Sequence, residues 1–250
     1  ITILHGKPTQ TIDAVTLIVY PFVAGQDGFS SSLTADQWIK LGKALKLVHE
    51  VEVPSSIQKS IRRDTFSPKW RDALRSIYPH IEGNPITDEI GLKLHKFMKQ
   101  TMPDIRRLVD RAEQLGKKLQ DHSPKFVLSH SDIHGGNVLI HESSDIYIVD
   151  WDEPIMAPKE RDLMFIGGGV GNVWNKPLEE NLFYKGYGKT EINPTSLAYY
   201  RHERIVEDIA IYSQELLLTT AGGKNRIEMY RHFIAMFEPQ GVVDIAFKTD

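Results

Sequence analysis

Cysteine is absent from all 250 residues, which excludes a disulfide framework and a zinc–thiolate centre and fits a reducing, cytoplasmic location. Charge of one sign is not in excess either. Lys+Arg number 30 against 33 Asp+Glu, a net charge of −3, so no part of the chain is basic enough to suggest a nucleic-acid partner. Long apolar runs are missing too: the most apolar window, Val15–Ala24, is too short to span a bilayer and contains Pro21. There is no signal peptide, internal repeat or low-complexity tract. What remains is an ordinary globular composition, 41% hydrophobic, able to bury a sizeable core in one domain or two.

The chain is organised around Phe126–Pro154, FVLSHSDIHGGNVLIHESSDIYIVDWDEP. Apolar Phe126–Ser129 runs into a polar loop carrying His130, Asp132, His134 and Asn137. Apolar Val138–Ile140 and β-branched Ile146–Val149 flank the turn-forming Glu142–Asp145. The pattern predicts strand, loop, strand, tight turn, strand, with Asp150 and Asp152 delivered by the last strand. A loop of the form H-x-D-x-x-x-x-N, followed after a hairpin by Asp, is how kinases place their catalytic parts. In that scheme Asp132 accepts the proton of the attacking hydroxyl, while Asn137 and Asp150 hold Mg²⁺ against the phosphates of ATP. Carboxylate and amide oxygens suit such a hard cation. Each residue alone would more often be a turn or strand cap. All three in this order between strands favour the chemistry.

HSDIHGGN with YIVDWDEP resembles the HGDxxxxN and IDF/W-[DE] motifs of the aminoglycoside phosphotransferase and choline kinase superfamily, small-molecule kinases that share the protein-kinase fold. Pro158–Leu163 is similar to the family's P-x-x-x-D-L, in which the Asp, here Asp162, caps a helix near the active site. Leu41–His49 is similar to its LGxxLxxLH helix. Ser131 stands where the family usually has Gly, which predicts a loop of ordinary φ at that point. The likeness covers most of the chain and is strongest to the branch that modifies aminocyclitols.

The resemblance implies an α+β, protein-kinase-like fold, mainly a helical C-terminal lobe with a small catalytic β-hairpin region. Residues 1–25 would be the last strands of an N-terminal β lobe and the hinge, and 26–250 the C-terminal lobe. In the hinge the Pro21 carbonyl and the Val23 N–H, on either side of Phe22, would hydrogen-bond the adenine edge; Pro serves because only its carbonyl is needed. A Gly-rich phosphate loop and a strand Lys paired with a helix Glu are not found. The natural protein is therefore expected to carry an additional N-terminal β-rich lobe, and the 250 residues alone to bind ATP poorly.

Helical signals fill most of the rest. Thr34–Gln37 forms a capping box before Trp38, Leu41, Leu45 and Val48. Ser67-Pro68 opens a second helix, Thr87 caps a third with Ile90, Leu94, Phe97 and Met98 inward, and Pro103 opens a fourth. Asn193-Pro194 starts the longest late helix, to about Leu218, and a further helix over residues 226–237 precedes a short apolar tail, 242–247. His49 is assigned a structural hydrogen bond. Lys59, Arg62 and Arg63 read as solvated surface, and the glycine-rich 166–171 reads as a flexible segment.

Candidate substrate contacts are Asp152 and Glu153, Trp174, and the strip Tyr200, Glu203 and Glu207. That strip lies opposite the apolar face of its helix. It is either a solvated face or the wall of a cleft for a cation. The family likeness implies an ATP- and Mg²⁺-dependent phosphotransferase acting on a hydroxyl of an aminocyclitol or aminoglycoside antibiotic, spectinomycin in particular, and so conferring resistance. Its partners would be the nucleotide and a small cationic antibiotic, with no nucleic acid or membrane. A choline, homoserine or sugar-amine kinase, or a non-catalytic kinase-like module, stays open.

Overall fold

The computed structural model describes residues 9–12, 15–18, 22–83, 88–122 and 124–249. Strands β1 (Thr9–Ile12) and β2 (Val15–Ile18) form an antiparallel pair, and the short β3 (Gln26–Asp27) follows. Then come α1 (Ala35–Glu50), α2 (Ser55–Gln58), β4 (Arg62–Arg63), α3 (Lys69–Glu82) and α4 (Glu89–Asp121). The central β5 (Val127–Ser129), β6 (Val138–Ile140), β7 (Ile146–Ile148) and β8 (Ile155–Ala157) precede α5 (Glu160–Leu163), α6 (Pro177–Tyr187), α7 (Pro194–Leu217), α8 (Asn225–Ala235) and α9 (Val242–Thr249).

The expected strand–loop–strand–turn–strand pattern is present, and its register sets the site. β6 pairs antiparallel with β7, Val138 opposite Ile148, so Asn137 lies beside Val149, one residue before Asp150. β3 closes the other edge of that sheet. β8 lies between β5, antiparallel, and β4, parallel, with Ser129 opposite Ile155. The loops after β5 and before β8 therefore leave the sheet side by side.

Helix starts follow the sequence closely at two places. Thr34 accepts from Gln37 N, and the Gln37 side chain returns to Thr34 N, which completes the capping box. Asn193 caps α7 by accepting from Ser196 N. Elsewhere tertiary packing overrides the signals. Pro103 does not open a helix: α4 runs unbroken through it, because the buried stripe Leu94, Met98, Met102, Ile105, Leu108 and Ala112 continues on both sides. A proline there forfeits one backbone bond, and packing of this length against α7 outweighs that loss. The cap of α4 is Asp88, whose side chain accepts from Gly91 N, while Thr87 lies outside the described residues. Pro68 takes the cap position of α3 rather than its first turn. The apolar tail is helical, as α9, with Val242, Val243 and Ala246 buried against the rest.

The glycine-rich segment is not a loose loop. Gly167, Gly169 and Gly171 take φ of 70°, 75° and 69°, a left-handed geometry that bends the chain tightly into the core. α7 is buried on both flanks, Tyr199, Tyr200 and Glu203 as well as Ile205, Val206 and Ile209. A solvated face for Tyr200 and Glu203 is thereby excluded. Against α7 pack α3, α4, α8 and α9 in one core; α1, α6 and the loop after β5 share a second.

α1 and α6 meet backbone to backbone at Gly42 and Gly186. A Cβ at Gly42 would fall on the Phe183 carbonyl oxygen and lie 2.6 Å from Tyr187 N. Gly42→Ala is expected to destabilise the protein by about 1–3 kcal/mol, since such backbone overlap outweighs the ~1 kcal/mol gain in helix propensity. Urea unfolding with the slope m held constant measures it; a stabilised variant would show that the helices separate freely.

Candidate active site

The loop after β5 is held by buried partners. Asp162 of α5, fully buried, accepts from His130 N at 2.9 Å and Ser131 N at 2.7 Å. Its Oδ2 also meets His49 Nε2 at 3.0 Å, and His49 Nδ1 lies 2.7 Å from the Tyr187 hydroxyl. Asp162 therefore clamps the loop rather than capping a helix, and the structural hydrogen bond expected of His49 is to that clamp. Ser131 takes φ 77°, not the ordinary φ expected of a serine there. The two N–H bonds to Asp162, with Ser131 Oγ 3.3 Å from the Glu153 carbonyl, hold it in that left-handed conformation.

Next come the three residues of the kinase-like pattern. His130 Nδ1 accepts from Asp132 N, so its Nε2–H donates to the Val149 carbonyl at 2.8 Å, tying the loop to the strand end before Asp150. Asn137 donates Nδ2 to the Asp132 carbonyl at 2.9 Å, which leaves Oδ1 as its lone-pair group. Val149 N donates to Asn137 O at 3.0 Å. Asp150 is exposed and has φ 64°, so it has left the strand before its side chain projects. One amide oxygen and one free carboxylate, on backbones joined through Val149, suit a hard divalent cation whose remaining ligands come from phosphate and water. Among the described residues no three His, Asp or Glu side chains gather as an all-protein metal site.

Asp132 is held by two donors. Arg204 Nη1 of α7 lies 2.5 Å from Oδ1. His134 accepts from Gly136 N on Nδ1, which puts its proton on Nε2, 3.4 Å from Asp132 Oδ2. Burial pushes the Asp132 carboxyl up, but the His134 hydrogen bond and the Arg204 charge outweigh it and hold the group well below the usual carboxylate range.

Asp132 and Asp150 open on a cleft of about 440 Å³ between the β5–β8 loops and α7. Family comparison decides what kind of site this is. Residues 4–182 match the APH family of phosphotransferase enzymes. The chain belongs to that family. Spectinomycin phosphotransferase APH(9)-Ia, solved with ADP and spectinomycin, is 51% identical, with a TM-score of 0.91 over 98% of this chain and 75% of that one. An aminoglycoside phosphotransferase of Alicyclobacillus acidocaldarius (12% identity, TM-score 0.64, 98% and 75% covered) and an ethanolamine kinase of Plasmodium vivax (16%, 0.56, 97% and 68%) share the fold alone. No curated protein matches the chain. The APH, protein-kinase-like fold expected from the motifs is thus the fold of this chain, and no helix among its described residues is long and apolar enough to cross a membrane.

This APH chain gathers most of the expected substrate residues in the same cleft: Asp152, Glu153, Tyr200, Glu203 and Glu207. Their states differ. Glu203 is buried and ion-paired to Arg71 of α3, itself buried; burial pushes its carboxyl up to about 7, opposed by the Arg71 charge. Tyr200 donates to Asp64 at 2.9 Å, and Arg161 already occupies its ring face at 5.5 Å, so that ring is not free for a substrate ammonium. Glu153 pairs with Arg62 at 3.1 Å on the cleft rim. Glu207 has no hydrogen-bond partner among the described residues, and burial raises its pKa against the charges of Arg204 and Arg161.

Trp174 is elsewhere. It is buried in the second core, edge-on to Trp38 at 5.1 Å, because an apolar ring of that size is better accommodated there. Arg62 and Arg63 are exposed, as expected, and from β4 they also line the rim of the cleft. Of the residues expected to meet the adenine, Phe22 is 93% exposed and Val23 half-buried, and Pro21 lies outside the described residues. Sequence reasoning missed Arg204, Arg161 and Asp64. The one local signal was Arg204 with Asp208 at i, i+4 on α7.

Proposed function

We propose that this APH enzyme transfers the γ-phosphoryl group of ATP to a hydroxyl of a cationic aminocyclitol, spectinomycin being the first candidate, and thereby confers resistance to it. The observation that carries the reading is the Asp132 carboxylate, held by Arg204 at the edge of a cleft lined by more acidic than basic side chains. The 51% identity to an enzyme solved with ADP and spectinomycin supports the same substrate pair.

In the reaction the substrate O–H gives its proton to Asp132 while its oxygen bonds the γ-phosphorus and the bond to ADP breaks, giving a phosphomonoester and ADP. Asn137 Oδ1 and Asp150 would hold Mg²⁺, which when bound neutralises charge on the phosphates. Phe22 and Val23, with Pro21, would frame the adenine. Asp132 needs no raised pKa, because the transition state is loose and proton transfer comes late. What the chain supplies is position: the Asp162 clamp, the His130 tie and the Asn137 amide together fix the base relative to the metal ligands.

Glu207 is the carboxylate best placed to take a substrate ammonium. Glu207→Gln is expected to raise the KM of a cationic acceptor about 10–100-fold with little change in kcat, the size of a lost charge-assisted hydrogen bond. Steady-state kinetics at saturating ATP reads this directly. An unchanged KM would place the substrate cation elsewhere. The function as a whole is tested by mass spectrometry of spectinomycin and a panel of aminocyclitols, choline, ethanolamine and homoserine after incubation with Mg-ATP. Phosphate gained by an amino alcohol or amino acid and by no aminocyclitol would overturn the substrate assignment.

A further inference from the structure

Arg204 makes the tightest contact to Asp132, and phosphoryl transfer as described gives it no task. It projects from α7, 17% exposed, toward the catalytic loop. Nη1 donates to Asp132 Oδ1, and Nε donates to both oxygens of Asp208 one turn on, at 3.0 and 3.2 Å. The guanidinium carbon lies 5.7 Å from the centre of the Phe165 ring. Arg204 also lines both the acidic cleft and a second cavity of about 450 Å³ bounded by Phe29, His134, Tyr212 and Met236. It is part of the wall between them.

This arrangement restricts Asp132 in a specific way. An aspartate side chain has few torsions, but its carboxylate can swing through a broad range about the last of them. Here Oδ1 is committed to Arg204, and among the described residues Oδ2 approaches only His134 Nε2, at 3.4 Å. Glu207 and Asp208 stand on the same helix face as Arg204, and both carboxylates repel Asp132. A single planar guanidinium with donors in fixed directions can hold Asp132 and Asp208 at once, which an ammonium on a flexible stem does less well.

We infer that Arg204, held by Asp208, is a positioning residue that fixes the Asp132 carboxylate by Oδ1 so that Oδ2 meets the incoming hydroxyl. The inference rests on Asp132 being the base. It makes α7 part of the catalytic apparatus: the helix that bears Glu207 for the substrate also sets the aim of the base. A substrate seated against α7 is therefore in register with Asp132 through one rigid element.

The test is a double-mutant cycle in the full-length protein with spectinomycin and Mg-ATP. Arg204→Gln is expected to lower kcat about 10–100-fold, with KM and ATP affinity by calorimetry within about 3-fold. Arg204→Lys should recover part of the loss, and Asp208→Asn should reproduce part of it. In an Asp132→Asn background, Arg204→Gln should cost little more, because it acts through a carboxylate no longer present. A merely structural arginine gives the same rate factor in both backgrounds and lowers Tm together with kcat, which would overturn the inference. So would an Arg204→Gln enzyme within about 2-fold of the wild type while Asp132→Asn is inactive. Normal turnover by Asp132→Asn would instead overturn the assignment of the base, and this inference with it. Should Arg204→Gln fail to fold, Arg204→Lys and Asp208→Asn carry the same cycle.

Discussion

Asp132→Asn is expected to lower kcat by about 10²–10⁴-fold while leaving the fold and nucleotide affinity nearly unchanged. The amide keeps the size of the carboxylate and can still accept from Arg204, whose charge remains balanced by Asp208 at 3.0 Å. The loop itself is anchored elsewhere, by Asp162 on His130 and Ser131 and by the bond from Asn137 to the Asp132 carbonyl. None of those bonds uses the Asp132 side chain. What the variant loses is a group that can take up a proton. Circular dichroism and calorimetry with Mg-ATP should match the wild type; single-turnover phosphoryl transfer should not. A variant that keeps more than about a tenth of wild-type kcat would remove Asp132 from the role of base.

The second large effect is expected at Asp150. Asp150→Ala should abolish Mg²⁺-dependent nucleotide binding, whereas Asp152→Ala should chiefly raise the KM of a cationic acceptor. β7 ends at Ile148, and Asp150 has φ 64°, so Asp150 and Asp152 do not share the common direction that residues i and i+2 keep along a strand. Asp150 is joined through Val149 to Asn137, the other oxygen donor; Asp152 stands further along the cleft rim. The proposed site would offer a hard cation only two protein oxygens, so losing the charged one should remove most of its affinity. Alanine at a positive φ also strains the turn, and Asp150→Asn separates the two causes: it tolerates the backbone and lacks the charge. Titration of Mg-ATP against ATP in EDTA measures the metal-dependent part. If Asp152→Ala abolished it and Asp150→Ala spared it, the two roles would be exchanged.

Much of this protein could be read from sequence because the information is local. Phe126–Pro154 carries its own strand and turn signals, and the order Asp132, Asn137, Asp150 follows from the hairpin that joins them. The caps Thr34 and Asn193 act within one helical turn, and both stand where the chain implied. The family too was legible, since its motifs are short and contiguous. Where local signals competed with packing, packing won. Pro103 became the interior of α4 because an apolar stripe continued past it, and the last apolar residues became α9 because Val242, Val243 and Ala246 found a core to join.

Burial and pairing across long stretches of sequence were decided only in three dimensions. Tyr200 and Glu203 look like a wet face on a helical wheel, but Arg71 of α3 pairs with Glu203, and Asp64 and Arg161 close on Tyr200. Trp174 has the chemistry of a substrate platform and was taken into the core beside Trp38. Asp162 reaches back to His130 and Ser131, and Arg204 to Asp132, across separations that no periodicity encodes. The sequence by itself determined the family and the hairpin that brings Asp132, Asn137 and Asp150 together, because both are encoded in one contiguous stretch. Tertiary structure decided which charges stay free to act, because a charge's neighbours come from every element packed around it.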